Sequence, residues 1–162
     1  MIRYIAFCLV SVFFFAACNK NKASKTPEIS LINMTPDSIL QGSPEDTLFI
    51  NFQLKDGDAD LGVDQIAQVD PSQQKYDIYV RDARNDTFTG YYFPEIDKEV
   101  LDPKKGIEGV CALTINGAFI YTRDDSLHQA TGDTTHFELY IKDKAGNESN
   151  RITTGNLYIK VQ

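Results

Sequence analysis

Three carboxylates alternate with small residues in the run Lys55-Asp56-Gly57-Asp58-Ala59-Asp60-Leu61-Gly62. Acids at i, i+2 and i+4 with glycine and alanine between them can turn their oxygens toward one point. That is the donor set of a hard cation such as calcium. With no cation present, the same three charges repel one another at short range. The run is not an EF-hand loop, which needs glycine at its sixth position and glutamate at its twelfth, where this sequence has Leu61 and Ala67. A metal-free turn competes with calcium as the explanation, because Asp bonds nearby backbone and Gly accepts positive φ.

A second polar run, Asp143-Lys144-Ala145-Gly146-Asn147-Glu148-Ser149-Asn150, follows an alternating segment near the C-terminus. If the two runs lie at the same end of the fold, Asp143 and Asn147 approach Asp56, Asp58 and Asp60. Together with backbone and water they would supply the roughly six to eight oxygens that calcium takes.

Elsewhere the chemistry is sparse. Gly90-Tyr91-Tyr92-Phe93 offers Tyr91 and Tyr92 as rings for stacking on a sugar, although on a strand one of the two faces the core. His128 and His136 have no cysteine or carboxylate at zinc-ligand spacing and read as surface residues. No Gly-x-Ser-x-Gly elbow or phosphate-binding loop occurs. Acid pairs such as Asp124-Asp125 are too common in this chain to nominate an acid–base couple. The expectation is a protein that is not an enzyme.

The elements that must carry these residues alternate with period two, as strands with one buried face do. Leu48, Ile50, Phe52 and Leu54 share one face of residues 47–54. Ile78 and Val80, then Cys111, Leu113 and Ile115, then Phe137, Leu139 and Ile141, and finally Leu157, Ile159 and Val161 repeat the pattern, and residues 29–34 form a first strand. Helical spacing is confined to a short stretch, 60–69. All six prolines fall between these strands, where a missing N–H costs no ladder bond. About seven short strands divided by turn signals predict an all-β fold, an immunoglobulin-like antiparallel β-sandwich over 28–162. The absence of Trp and of a cysteine pair in that span removes the antibody hallmarks.

The chain has 162 residues with 16 Lys+Arg and 23 Asp+Glu, a net charge of −7, and this acidic balance excludes a nucleic-acid surface. Residues 1–17 read as a signal peptide, with Arg3 ahead of an apolar run at 4–15 that is too short to span a bilayer. Residues 18–27 are polar, carry Lys20, Lys22 and Lys25 with no acid, and read as a flexible tether. From Pro27 onward the count is 12 basic against 23 acidic residues. Cys8 leaves with the signal, so Cys111 is the one cysteine of the domain and reads as a structural thiol.

Phe15-Ala16-Ala17-Cys18 resembles the lipobox of bacterial lipoproteins, departing from it at Phe15, where an aliphatic residue is usual. The resemblance implies that Cys18 becomes the new N-terminus and carries covalent lipid, several acyl chains giving stable anchoring to a membrane. With the two Asp-bearing runs, the chain resembles small outer-membrane lipoproteins of Bacteroidetes-type bacteria that hold a single immunoglobulin- or cadherin-like domain. In that group an acidic pair soon after the lipidated cysteine resembles a surface-export signal. Residues 19–25 contain no acid, which favours the periplasmic face of the outer membrane. The functional expectation is a non-enzymatic envelope module that binds an envelope protein partner and is stabilised by calcium. The alternative is a carbohydrate-capture lipoprotein of an outer-membrane uptake system.

Overall fold

The computed structural model describes residues 24–62, 76–93 and 105–161. The expected signal peptide, Cys18, most of the tether, the helical candidate beyond Gly62 and the segment 94–104 lie outside the described residues. Among the described residues, no helix is long and apolar enough to cross a membrane.

Among the described residues strand is the dominant regular structure: β1 (Glu28–Thr35), β2 (Ser38–Leu40), β3 (Thr47–Asp56), β4 (Ile78–Asp82), β5 (Thr89–Tyr91), β6 (Ile107–Asn116), β7 (Asp133–Thr135), β8 (Phe137–Ile141), β9 (Ile152–Thr153) and β10 (Leu157–Lys160). A 3-10 turn, Gly117–Phe119, and one short helix, α1 (Ser126–Thr131), connect β6 to β7. The sequence does not announce α1, because the helix buries none of its side chains and so has no apolar stripe. It is held at its start by the Asp125 carboxylate, which accepts the His128 N–H at 2.9 Å.

The strands form three sheets, ordered β1-β3-β6, β5-β4-β8-β9 and β2-β10-β7. Neighbours pair antiparallel except β2 and β10, which run parallel. β7 and β8 are separated by His136 alone, so one stretch of chain serves both of the latter sheets. Thr154 joins them where β9 gives way to β10: its hydroxyl accepts the Phe137 N–H at 2.9 Å, and its N–H donates to the Phe137 carbonyl.

β3 is the central strand of its sheet and turns one face wholly into the core. Leu48, Ile50 and Phe52 are fully buried and Leu54 nearly so. Each such side chain contributes about 1.5–3 kcal/mol of hydrophobic stabilisation. They pack in one cluster with Ile29, Ile78, Val80, Leu113, Ile115, Leu139, Ile141, Leu157 and Ile159, drawn from all three sheets. Cys111 is half-buried against that cluster, and burial pushes its thiol pKa up, as befits a structural cysteine.

The β3–β6 ladder pairs Thr47 with Asn116 at one end and Asp56 with Ile107 at the other. At about 3.3 Å per residue these ends lie roughly 30 Å apart. The Thr47 end gathers the 3-10 turn and the segment leading to β7. The Asp56 end gathers the first described residues and the hairpin between β8 and β9.

Candidate metal centre

β3 runs two residues past the stretch 47–54 read from sequence, and its alternation continues with it. Asp56 therefore takes the next inward position after Leu54 and is 1% exposed. A carboxylate thus stands where the pattern places a core side chain. Among the described residues neither of its oxygens has a hydrogen-bond partner, and Oδ1 of Asp58 and Oδ1 of Asp60 are likewise buried and unpaired. One carboxylate oxygen from each of Asp56, Asp58 and Asp60 lies within 4.8 Å of the others.

Local backbone bends the run into this convergence. Ala59 is buried with φ of +54°, a left-handed conformation unusual for a residue with a Cβ, and it folds Asp60 back toward Asp56. Gly106, with φ of +71°, passes directly over the end of β3, where a Cβ would overlap the Asp56 carbonyl oxygen.

The second run arrives from the hairpin between β8 and β9. The Lys144 N–H donates to the Asp60 carbonyl at 2.9 Å, and the Ala145 N–H donates to Asp60 Oδ2 at 3.2 Å. These bonds bring Asp143, 6% exposed, against the cluster. Asn147 is placed differently from its expected role as a ligand. Its backbone N–H donates to Asp143 Oδ1 and its side-chain amide to Asp143 Oδ2, both at 2.7 Å, so it orients Asp143. Partners that orient a metal ligand typically change affinity about 10- to 100-fold when removed. Asn147→Ala is accordingly expected to weaken calcium binding about tenfold while leaving the unfolding temperature in EDTA within a degree or two. Calorimetric titration checks the first and thermal unfolding the second.

The electrostatics carry the strain of this assembly. Burial, with the charges of Asp58, Asp60 and Asp143 behind it, raises the Asp56 pKa from 3.8 to about 6. The Asp60 N–H lies close enough to pull the other way, but less strongly. Burial and the charges of Asp143 and Asp58 also raise Asp60, partly offset by the Ala145 N–H. From the start of the described chain, Lys25 Nζ stands 3.5 Å from Asp58 Oδ2, its side chain 80% exposed. The Gly57 N–H donates to the Ser24 carbonyl at 2.8 Å. Residues 24–27, inside the expected tether, thus already rest on the fold, and Pro27 is fully buried.

The three converging side chains, and Asp143 whose charge acts on them, offer oxygen alone. Such a set suits a hard cation, whereas zinc favours nitrogen and sulfur donors. Calcium accepts irregular oxygen geometry at about 2.3–2.6 Å, while magnesium demands a tighter octahedron and keeps much of its water.

The other residues singled out in the sequence lie elsewhere. Tyr91 packs on the core, and Tyr92, just past the end of β5, lies against Tyr76 with ring centres 4.9 Å apart. On the β4–β8 pair, Tyr79 and Tyr140 stack at 4.8 Å, and Arg151 covers both Tyr140 and Phe88. His128 belongs to a charge network at the opposite end from Asp56. There its Nδ1 lies 2.6 Å from Asp125 Oδ2, and Arg84 binds Asp82 and Asp133 at 2.6 and 2.8 Å. Burial acts to raise Asp82 and Asp133, but hydrogen bonds prevail and hold both below the usual carboxylate range. Those bonds come from Arg84 and Thr135 to Asp82, and from Arg84 and the Arg123 N–H to Asp133. Every carboxylate there has a partner, which marks a structural clasp.

Sequence reading did not single out Asn150, whose side chain exchanges hydrogen bonds of 2.9 and 2.8 Å with the Ile29 backbone and ties the hairpin to β1. Nothing local marks it out. Asp56 as a buried group was, by contrast, within reach, since the alternation of 48, 50, 52 and 54 extends to 56 without a break. No protein-family model, curated protein or solved structure matches the chain.

Proposed function

We propose that this chain is a lipid-anchored, non-enzymatic binding or structural module of the cell envelope, with a calcium ion organising the end nearest its anchor. One observation carries the metal: Asp56, buried and without a hydrogen-bond partner, faces Asp58, Asp60 and Asp143. Buried polar groups are nearly always paired, and an uncompensated buried charge costs several kcal/mol. A divalent cation among these oxygens removes both the missing contacts and the mutual repulsion.

The lipobox-like run ending at Cys18 supports the anchor, and the lysines without acids behind it support the periplasmic face of the outer membrane. A core shared by three sheets, with β1-β3-β6 on one part and β5-β4-β8-β9 continuing into β2-β10-β7 on the other, supports an immunoglobulin-like sandwich. In this reading lipid fixes the address, and sheet edges and loops are offered to an envelope protein.

Fractionation of cells tests the anchor. Cys18→Ser should move the protein from membranes to the soluble fraction, and retention on the membrane would sink the lipid reading. Titration of the full chain with calcium chloride should show one ion per chain, and absence of heat and of any structural response would return Asp56, Asp58 and Asp60 to being a turn.

A further inference from the structure

The chain reaches the fold by way of the same loop that gathers the carboxylates. Ser24 accepts the Gly57 N–H at 2.8 Å, and Lys25 Nζ lies 3.5 Å from Asp58 Oδ2. The Thr26 N–H closes a small turn on the Ser24 hydroxyl at 3.1 Å, and β1 then begins at Glu28 opposite Lys55. The segment leading back toward Cys18 is therefore fastened to the fold at Gly57 and Asp58, both within the acidic run.

We propose that Lys25 and calcium compete for Asp58. In calcium-poor conditions the ammonium holds the segment against the acidic loop; when calcium binds, it displaces Lys25 and loosens that hold. The inference rests on the calcium reading above, and it assigns Lys25 and the tether a part in the site.

The charges decide the direction. Lys25 brings a single, largely exposed charge to Asp58 Oδ2, whereas Asp58 Oδ1 is buried, unpaired and turned toward Asp56 and Asp60. A divalent ion among these oxygens has twice the charge, several carboxylates around it and less water between, so above its dissociation constant it takes Asp58 from Lys25. The ammonium is then left beside a cation, and the contact that fastened it becomes repulsive. What remains is the Ser24–Gly57 hydrogen bond. Five residues separate Cys18 from Ser24, so the segment spans at most about 20 Å.

The test uses the full chain and calcium chloride, with Lys25→Gln compared with wild type and with Lys160→Gln, a charge change at a lysine that bonds Ser38. Screened Coulomb repulsion between a lysine and a divalent ion a few ångströms away predicts that Lys25→Gln binds calcium about three- to tenfold more tightly. Lys160→Gln should stay within about twofold of wild type. In wild type, cleavage after Lys25 by a lysine-specific endoproteinase should quicken severalfold on adding calcium. Equal affinity in Lys25→Gln and wild type, an equal gain in Lys160→Gln, or a cleavage rate indifferent to calcium would each overturn the competition while leaving the metal site standing. Failure of all three proteins to bind calcium would remove the metal reading itself.

Discussion

Calcium at about 10 mM should raise the unfolding temperature of the chain at pH 7 by roughly 4–12 °C over its value in EDTA. The range follows from a dissociation constant of about 0.1–1 mM, usual for extracytoplasmic calcium modules, which gives about 1.4–2.7 kcal/mol by linkage. Magnesium at the same concentration should produce little of this shift, because it holds its water and tolerates irregular oxygen sets poorly. The decisive variant is Asp56→Asn, which keeps the shape of a side chain that is 1% exposed and removes its charge. In EDTA that variant should be more stable than wild type by about 1–2 kcal/mol, since the new amide can donate to the unpaired oxygens of Asp58 and Asp60 and one repelling charge has gone. In calcium it should be the less stable of the two, having lost a ligand. Scanning calorimetry of both proteins in both buffers gives four unfolding temperatures, and the crossing is the signature of a metal site. No calcium shift in wild type, together with a destabilised Asp56→Asn in EDTA, would identify the run as a plain turn.

In EDTA, stability should rise by about 3 kcal/mol as the pH falls from 7 to about 4, the reverse of ordinary acid behaviour. Asp56 titrates near 6 in the folded protein and near 3.8 when exposed. Above pH 6 the carboxylate is ionised in both states and the folded state bears the burial and repulsion. Between about pH 6 and pH 4 the folded protein takes up a proton that the unfolded chain does not, so folding gains about 1.36 kcal/mol for each unit between the two pKa values. Asp60, raised for the same reasons, adds in the same direction. Below about pH 4 the trend turns over, because Asp82 and Asp133 titrate below the usual carboxylate range and lose their Arg84 pairs on protonation. Calcium should invert the upper part of the curve, since the ion requires ionised ligands and leaves as they protonate. Urea midpoints at pH 7 and pH 5, each with EDTA and with calcium, measure all of this. A metal-free protein whose midpoint falls between pH 7 and pH 5 would contradict the burial of an ionised Asp56.

The strands with four or more residues were legible because their signal is local, while β2, β5, β7 and β9, of two or three residues each, are too short to show an alternation. Leu48, Ile50, Phe52 and Leu54 alternate with exposed or half-buried neighbours, and a chain of that pattern can bury one face only when extended. The same holds for Phe137, Leu139 and Ile141 and for Leu157 and Ile159. Helix α1 was illegible for the complementary reason: it lies on the surface with no face to bury. The acidic run could be read as three oxygen donors from residue types and spacing alone.

What the sequence could not decide is which charges meet. Asp56 and Asp143 are far apart along the chain and come together because β3 and β8 finish at the same end of the fold, a matter of strand pairing. The roles of Asn147 and Lys25 depended on that outcome. Asn147 turns its amide to Asp143 and not to a metal, and Lys25, in what reads as a featureless tether, lands on Asp58. Local alternation thus determined the strands and the chemistry of the acidic run. Only tertiary structure made Asp56 a buried, unpaired charge, because burial and repulsion depend on neighbours that the backbone brings from elsewhere.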